Sequence, residues 1–305
     1  MACRLGREDG LTGSRTPFRY HLYARPSTTY AASPFAFSVA RPEGALVAHD
    51  SLSFDYRKSH VSPDKGVRYD RLYKPGSALA FYFDHFERPY IEAQFERAAK
   101  DRGGSRYLDF ACGTGRILAI GATFFDETVG IDVSEAMTAI ARTKTPGAQI
   151  LEIDVLAQPV DVGTFDVVTL FRFLLRAGVL RDDVLQWLRG VIREDGILIV
   201  NNHRNAHSLR GVAWRIVHRI RRDGFEDELL TDGQVEAMLR RHGFEVIEEY
   251  GFGSVPSFRG HLLLPRRLLL AVEQRLAGSG RLSWFAKNRI YVCRPVGPKT
   301  AITAA

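Results

Sequence analysis

The stretch RYLDFACGTGRI, residues 106–117, contains the feature on which the fold prediction depends. A short apolar strand runs into Asp109, and a turn follows at Gly113, Thr114 and Gly115. Glycine at such a turn lets a ligand approach the backbone closely, because no side chain blocks it. In an open α/β sheet, ligands bind beyond the carboxyl ends of the strands. The stretch therefore predicts a ligand lying against this turn.

Strand and helix signals alternate from this stretch onward. The strand-like segments are RYLDFA, TVGIDVS, AQILEIDVL, FDVVTLFRFL and GILIVNNH, and the helix-like ones are GRILAIGATFF, EAMTAIARTK and RDDVLQWLRGVI. This alternation predicts βαβ units and a parallel sheet, and the nearly continuous apolar strands indicate that both faces are covered. Further on, TDGQVEAMLRRHG predicts a helix capped by Thr231 or Asp232, and FEVIEEYGF and RIYVCRP predict two final strands.

The segments before the first strand have a different composition. Residues 1–60 are rich in Ser, Thr, Pro, Arg and aromatic residues without helical periodicity, which predicts a poorly structured N-terminal extension. Its acid-poor, Arg- and Ser-rich character is typical of a transit peptide. The plainer alternative is a start codon assigned too far upstream, with the protein beginning near VSPDKGVRYDRLY. Residues 61–104 predict N-terminal helices, interrupted near Pro89, that cover the ligand site.

Composition limits the class of protein. The 305 residues are 45% hydrophobic and 25% charged, as in an ordinary globular protein, and no apolar run reaches the 18 residues typical of a membrane span. The three cysteines, Cys3, Cys112 and Cys293, lack metal-type spacing and make a poor disulfide framework. This cysteine usage predicts a reducing, cytoplasmic location.

The basic charge of the chain lies in its last third. Residues 1–203 hold 25 Lys and Arg against 25 Asp and Glu, whereas residues 204–305 hold 17 against 10. A basic face serves an anionic substrate, a membrane surface or nucleic acid, and a solvated surface is the plain alternative.

Two ligand classes fit the glycine turn: a dinucleotide, or an adenosyl compound without pyrophosphate. The dinucleotide fingerprint needs a third glycine, and the chain has Leu118 at that position. The next strand ends in Asp132, 17 residues after Gly115, where a carboxylate can accept both ribose hydroxyls. The following strand ends at Asp154, within reach of an adenine amino group. These acids favour the adenosyl compound.

The segments YLDFACGTGRI, VGIDVS, EIDVLAQP and FDVVTLFRFLL, taken in this order, resemble the successive motifs of class I S-adenosylmethionine-dependent methyltransferases. The resemblance covers roughly residues 65–295. It implies an α/β, Rossmann-like seven-stranded sheet with helices on both faces and an antiparallel last strand, RIYVCRP. It also implies S-adenosylmethionine as cofactor and a methyltransferase domain over residues 105–305, with helical insertions near 204–225 and 258–287.

The resemblance further implies which residues bind the cofactor. Asp109, Ala111, Gly113 and Gly115 would surround its methionine part. The other implied cofactor residues are Asp132 at the ribose, Val133, Asp154 and Val155 at the adenine, and Phe171 facing cofactor and substrate. For Asp166, at the start of a strand, a capping role is the preferred interpretation.

Methyl transfer to a hydroxyl is helped by a base. Candidates for catalysis follow strands four and five: Arg172, Asn201, Asn202, His203 and His207, with His203 and Arg172 preferred. Tyr82 and His85, on the N-terminal helices, are weaker candidates. Metal-dependent relatives place carboxylates at these positions, so no metal is expected. The Asn/Asp-Pro-Pro-Tyr/Phe run of N-methyltransferases is also missing after strand four.

The acceptor stays open at this stage. O-methylation of a small molecule, sugar or lipid-linked intermediate is favoured, and a nucleic-acid acceptor is disfavoured because no nucleic-acid-binding module is recognisable. A cofactor-binding protein without turnover is the alternative from another class. The segments SLRGVAWRIVHRIRRDG and GHLLLPRRLLLAVEQRL predict basic helices that either cap the substrate side or contact a membrane surface. The oligomeric state is not predicted.

Overall fold

The computed structural model describes residues 64–100, 105–175, 180–221, 229–258, 260–278 and 281–297. The extension predicted over residues 1–60 lies outside the described residues, as do residues 222–225 of the first predicted insertion and residues 259, 279 and 280 of the second.

A seven-stranded sheet forms the centre of the described part. The strands of the chain are β1 (Arg106–Phe110), β2 (Glu127–Asp132), β3 (Gln149–Glu152), β4 (Phe165–Leu170), β5 (Ile192–Asn202), β6 (Phe244–Phe252), the short β7 (Ser257–Phe258) and β8 (His261–Leu262), and β9 (Asn288–Pro295). The order in the sheet is β3-β2-β1-β4-β5-β9-β6, while β7 and β8 form a separate hairpin.

The strand directions confirm the predicted mixed sheet. The pairs from β3 to β5 are all parallel, with Leu108 opposite both Val129 and Val168. Strand β9 lies between β5 and β6 and is antiparallel to both. The first residues of β9 therefore lie at the same edge as the last residues of the parallel strands. This edge also contains the glycine turn.

Helices cover the sheet and connect its strands. They are α1 (Lys65–Leu72), α2 (Ala78–Tyr82), α3 (Arg88–Ala99), α4 (Leu118–Gly121), α5 (Glu135–Lys144), α6 (Leu180–Val191), α7 (Leu209–Arg221), α8 (Asp232–Arg241) and α9 (Arg266–Leu276), with a 3₁₀ turn at Arg281–Phe285. Helix α8 begins with a capping box, because the Thr231 side chain accepts from the Gln234 backbone while the Gln234 side chain accepts from Thr231.

The core has two layers, one on each face of the sheet. On one face Leu108 and Leu170 pack with α6 and α8 residues such as Trp187 and Leu239. On the other face, residues of α3, α4 and α9 pack against the strand residues that alternate with these, such as Tyr107. Side chains of successive strand residues point to opposite faces. The two layers confirm the expectation of helices on both faces.

The interruption predicted near Pro89 is a π-helical turn at Phe83–Glu87 between α2 and α3. The Arg88 backbone N–H donates to the Phe83 carbonyl, five residues back. Proline has no N–H to donate, so the regular i to i−4 ladder is interrupted here. Glu87 lies in this turn, and its side chain is buried. The π turn therefore contains a buried carboxylate, which accepts hydrogen bonds from Arg116 and Asn201.

Helices α7 and α9 lie within the predicted insertions. Glu273 of α9 is fully buried and accepts hydrogen bonds from the backbone N–H groups of Ser254 and Val255, at 3.2 and 2.6 Å, and from the Tyr82 hydroxyl at 3.1 Å. One carboxylate thus joins α9, the loop after β6 and the N-terminal helices. No helix in the described part of the chain is long and apolar enough to cross a membrane.

Candidate active site

The glycine turn after β1 is held by the acid that ends β2. The Gly113 N–H donates to Asp132 Oδ2 at 2.8 Å, and the Ser134 N–H donates to Asp132 Oδ1 at 2.9 Å. Gly113 and Gly115 have φ of +55° and +75°, which glycine adopts without strain. Ala111 has φ of +56°, a rare conformation for a residue with a Cβ. The loop is therefore built from alternating left-handed residues around the Asp132 carboxylate.

Asp109 lies at the base of this loop and is 2% exposed. Its Oδ1 accepts from the Thr169 hydroxyl at 2.7 Å, whereas its Oδ2 is buried and has no hydrogen-bond partner in the described residues. Burial raises the pKa of Asp109 to about 7, against the opposing effects of the Thr169 hydrogen bond, the positive charge of Arg116 and the Leu118 backbone N–H. A buried carboxylate oxygen without a partner favours a donor supplied by a ligand.

A pocket beside the turn collects most of the residues that the sequence predicts for the adenosyl part. Its lining is mainly apolar, with Asp132 and Asp154 as the acidic members. The lining residues are Phe110, Ala111, Ile131, Asp132, Val133, Ile153, Asp154, Val155, Leu156, Phe173, Leu180 and Val184. Asp154 Oδ1 accepts from the Leu156 N–H at 3.1 Å. Apolar walls with a few polar groups are typical of small-molecule sites.

The remaining predicted residues lie outside this pocket. Phe171 directly follows β4 and is buried in the core layer that holds α3 and α9. Arg172 comes next and has φ of +58°, with its backbone N–H donating to Asn201 Oδ1 at 2.7 Å. His203 directly follows β5 and is half-buried. Arg172 and His203 thus follow the two strands next to β1 on its β9 side, at the edge that contains the glycine turn.

The other catalytic candidates, apart from Asn201, have contacts elsewhere. The Tyr82 hydroxyl donates to Glu273, and the His207 ring stacks on Trp284 with centroids 4.4 Å apart. His85 is exposed, with its ring 4.8 Å from that of Phe81. The Asn202 amide donates to the Leu230 carbonyl. These contacts give the side chains structural partners.

Asp166 lies at the other edge of the sheet. Its Oδ2 accepts from the Arg106 N–H at 2.8 Å, and its Oδ1 lies 3.4 Å from Arg193 Nε. It therefore caps backbone at a strand start, as preferred in the sequence interpretation.

The N-terminal helices lie over the glycine turn. Asp70 of α1 accepts from the Thr114 hydroxyl at 2.7 Å and forms an ion pair with Lys144 of α5 at 2.6 Å. Glu87 accepts from Arg116 Nη1 at 3.2 Å and from the Asn201 amide at 3.2 Å. These contacts connect the segment before β1 to the ends of β1 and β5.

Three charged residues of this region were missed by the sequence analysis: Glu87, Arg116 and Lys287. Arg116 stands inside the quoted glycine motif, so a buried charge directly after the turn was the available signal. Glu87 and Lys287 carry no local signal, because their positions depend on the π turn and on the direction of β9. Within the described residues, no group of three or more His, Cys, Asp or Glu side chains gathers as a metal site.

Comparison with known proteins identifies the central segment. Residues 108–200 match the family model described as a methyltransferase domain. A protein of Geobacillus sp. (strain WCH70), which carries the name "Putative methyltransferase", is 28% identical over 142 residues. That match covers 41% of this chain and 56% of the relative, so the chain matches little more than half the length of this curated relative.

Solved structures agree in fold. Magnesium protoporphyrin IX methyltransferase of Synechocystis PCC 6803, solved with bound S-adenosylhomocysteine, is 16% identical with a TM-score of 0.52, covering 75% of this chain and 93% of that protein. An S-adenosylmethionine-dependent methyltransferase of Thermotoga maritima is 15% identical with a TM-score of 0.49, covering 76% and 96%. At these identities the likeness concerns the fold alone. The family-model match identifies residues 108–200 as a methyltransferase domain, and the described fold agrees with that assignment.

Proposed function

We propose that this protein transfers a methyl group from S-adenosylmethionine to a hydroxyl of a small molecule, sugar or lipid-linked intermediate. The observation that carries the proposal is the arrangement of three strand-end acids, Asp109, Asp132 and Asp154, around the glycine turn and its apolar pocket. The acids provide acceptors for a nucleoside and an ammonium group, and the pocket provides apolar walls for a base.

The side chains present fit this cofactor. The buried, unpartnered Asp109 Oδ2 suits the ammonium group of a methionine moiety. Asp132 uses one lone pair of each oxygen for the Gly113 and Ser134 backbones, which leaves further lone pairs for ribose hydroxyls. Val133 and Val155 line the pocket and would contact the adenine.

When bound, S-adenosylmethionine supplies a methyl group already activated by its sulfonium. The chain then has to orient the acceptor and exclude water. Removal of the acceptor hydroxyl proton is assigned to His203, which follows β5 at this edge of the sheet. Arg172, after β4, is assigned to acceptor binding.

The test of cofactor binding is Asp132→Ala, measured by calorimetry with S-adenosylhomocysteine. Hydrogen bonds to charged groups contribute roughly 1.5–3 kcal/mol each, so the affinity should fall about tenfold or more. The matched control is Asp126→Ala, because Asp126 also accepts a backbone N–H, from Ser105 at 2.9 Å, but at the start of β1.

Thermal unfolding of both variants separates folding from binding, since Asp132 also holds the glycine turn. Unchanged affinity in a folded Asp132→Ala protein would remove Asp132 from the cofactor site. Turnover is tested separately with methyl-labelled S-adenosylmethionine and cell extracts. Cofactor binding without any labelled product across such extracts would favour a binding protein instead of an enzyme.

A further inference from the structure

Arg172 is held rigidly at the end of β4. Its left-handed backbone is fixed by the hydrogen bond from its N–H to the Asn201 amide oxygen. Its guanidinium lies 5.4 Å from the centroid of the Tyr73 ring, and its Nε is buried without a hydrogen-bond partner in the described residues. A rare backbone conformation at a non-glycine residue is often a sign of function.

Arg116 reaches the same aromatic side chain from the glycine turn. Its guanidinium lies 4.2 Å from the centroid of the Tyr73 ring and 4.5 Å from that of Phe83. Its Nη1 is 3.2 Å from Glu87 Oε2, while its Nε is buried and without a partner among the residues described. Two arginines therefore contact one aromatic ring, each with an unused buried donor.

Lys287 adds a third cation at the start of β9. Its backbone N–H donates to the Gly253 carbonyl, which places it at the edge where the parallel strands end. Burial, together with repulsion by Arg172, Arg210 and Arg204, lowers the pKa of Lys287 to about 8, against the attraction of Glu87. Over the described ranges, neither Lys287 nor Arg172 has a carboxylate within ion-pair distance.

The charges of this cluster do not balance. Glu87 already accepts from the Asn201 amide with Oε1 and from Arg116 with Oε2. Arg172 and Lys287, both half-buried, are left as an excess of positive charge. Buried charges are normally paired, because an unpaired one is costly. Guanidinium groups bind carboxylates and phosphates especially well.

We propose that Arg172 and Lys287 form an anion subsite that binds a carboxylate or phosphate group of the methyl acceptor. The inference rests on the proposed methyltransferase function, because it assigns the chemistry of the acceptor. The cofactor's own carboxylate is the other source of an anion here. Arg116 directly follows Gly115 in the turn after β1. Arg172 follows β4 and Lys287 precedes β9, and both strands lie on the side of β1 away from β2. This order along the sheet assigns the latter pair to the acceptor.

The experiment measures two affinities of the full-length protein by calorimetry. The first is for S-adenosylhomocysteine, and the second is for inorganic phosphate on protein saturated with S-adenosylhomocysteine, at constant ionic strength. The variants are Arg172→Gln and Lys287→Met, the latter keeping the length of the aliphatic chain. The control is Arg294→Gln, which removes an equal charge from the exposed pair with Glu245.

Phosphate should bind the saturated wild type, and its affinity should fall about tenfold or more in either site variant but not in Arg294→Gln. Between pH 7 and 9 the wild type should lose its advantage in phosphate affinity over Lys287→Met, because Lys287 loses its proton there while the arginines keep theirs. The comparison of the two proteins cancels the titration of phosphate itself. Two variants on different elements keep the test valid if one of them fails to fold.

Three results would overturn the subsite. They are no phosphate binding to the protein with or without S-adenosylhomocysteine, equal weakening in Arg294→Gln, and phosphate binding to the ligand-free protein that S-adenosylhomocysteine displaces. The last result would assign the cations to the cofactor's carboxylate. Failure of S-adenosylhomocysteine to bind at all would instead contradict the proposed function, and the first titration detects it independently.

Discussion

Asp109 is the residue whose protonation should control cofactor affinity. Its pKa of about 7 in the ligand-free protein results from burial, so a large fraction of the carboxyl groups is neutral near pH 7. An ammonium group bound at Oδ2 prefers the carboxylate, so ligand affinity should rise as the pH rises through 7. Between pH 6 and 7.5 we expect S-adenosylhomocysteine to bind about eightfold more tightly, measured by calorimetry.

The control for this prediction is Asp109→Asn, whose affinity should be weaker and independent of pH over that range. The stability of the ligand-free protein changes with pH in the opposite direction. Because the folded pKa of Asp109 lies above its ordinary value of 3.8, the ligand-free protein loses stability as the pH rises through 7. From pH 5 to 8 the loss is on the order of 2 kcal/mol, and Asp109→Asn should lack it. A wild type with flat affinity and flat stability would contradict the raised pKa.

At the scale of elements, the glycine turn and α5 constrain each other. A Cβ at Gly115 would lie 3.0 Å from Ala141 Cβ and 3.1 Å from Ala141 Cα, and φ there is +75°. Gly115→Ala should therefore destabilise the protein by about 1–2 kcal/mol from the backbone alone, and more if α5 cannot move. Urea unfolding measures the difference.

Ala111→Gly is the matched variant in the same loop. It removes the strain of φ +56° but adds about 0.5–1 kcal/mol of backbone entropy, so its stability should stay near that of the wild type. If Gly115→Ala were as stable as Ala111→Gly, the packing of the turn against α5 would not be the reason for the glycine.

The strands and their terminal acids could be predicted because each depends on local sequence. Continuous apolar segments indicate buried strands, and parallel strands bring Asp132 and Asp154 to one edge. The position of β9 in the sheet was predicted from the family resemblance only, because its apolar pattern does not indicate which strands it pairs with. Lys287 was missed for the same reason: only the antiparallel direction of β9 brings its first residues to the ligand edge. The pair of Glu87 and Arg116 depends on tertiary contacts between helix and turn.

The whole molecule presents apolar and basic side chains together in its last third. On α7 a stripe of apolar side chains at helical spacing is exposed, with Leu209 at 58% and Ile216 at 54%. On α9 the first turn holds Arg266 and Arg267, both exposed, and no acid or side-chain cap is present there. Cations at a helix N-terminus oppose the helix dipole, so local helix stability does not explain them.

Peripheral membrane contact is therefore the prediction made at the scale of the whole molecule. The wild type should sediment with vesicles containing anionic phosphatidylglycerol at low salt. It should be released as salt rises, because charges are screened over about 8 Å at physiological ionic strength. The variant with Arg266→Glu and Arg267→Glu should not sediment, while its affinity for S-adenosylhomocysteine stays unchanged because Asp109 and Asp132 lie at the strand ends.

Two controls make the vesicle result specific. Arg88→Glu with Arg97→Glu reverses two exposed charges on α3, remote in sequence from both basic helices, and should keep vesicle binding. Vesicles of neutral phosphatidylcholine should bind neither form. If the wild type does not sediment with anionic vesicles even at low salt, the prediction of a membrane contact is wrong. The exposed stripe on α7 would then be better explained as a cover over an acceptor that dissolves in water, and the anion subsite would be tested with that class of acceptor alone.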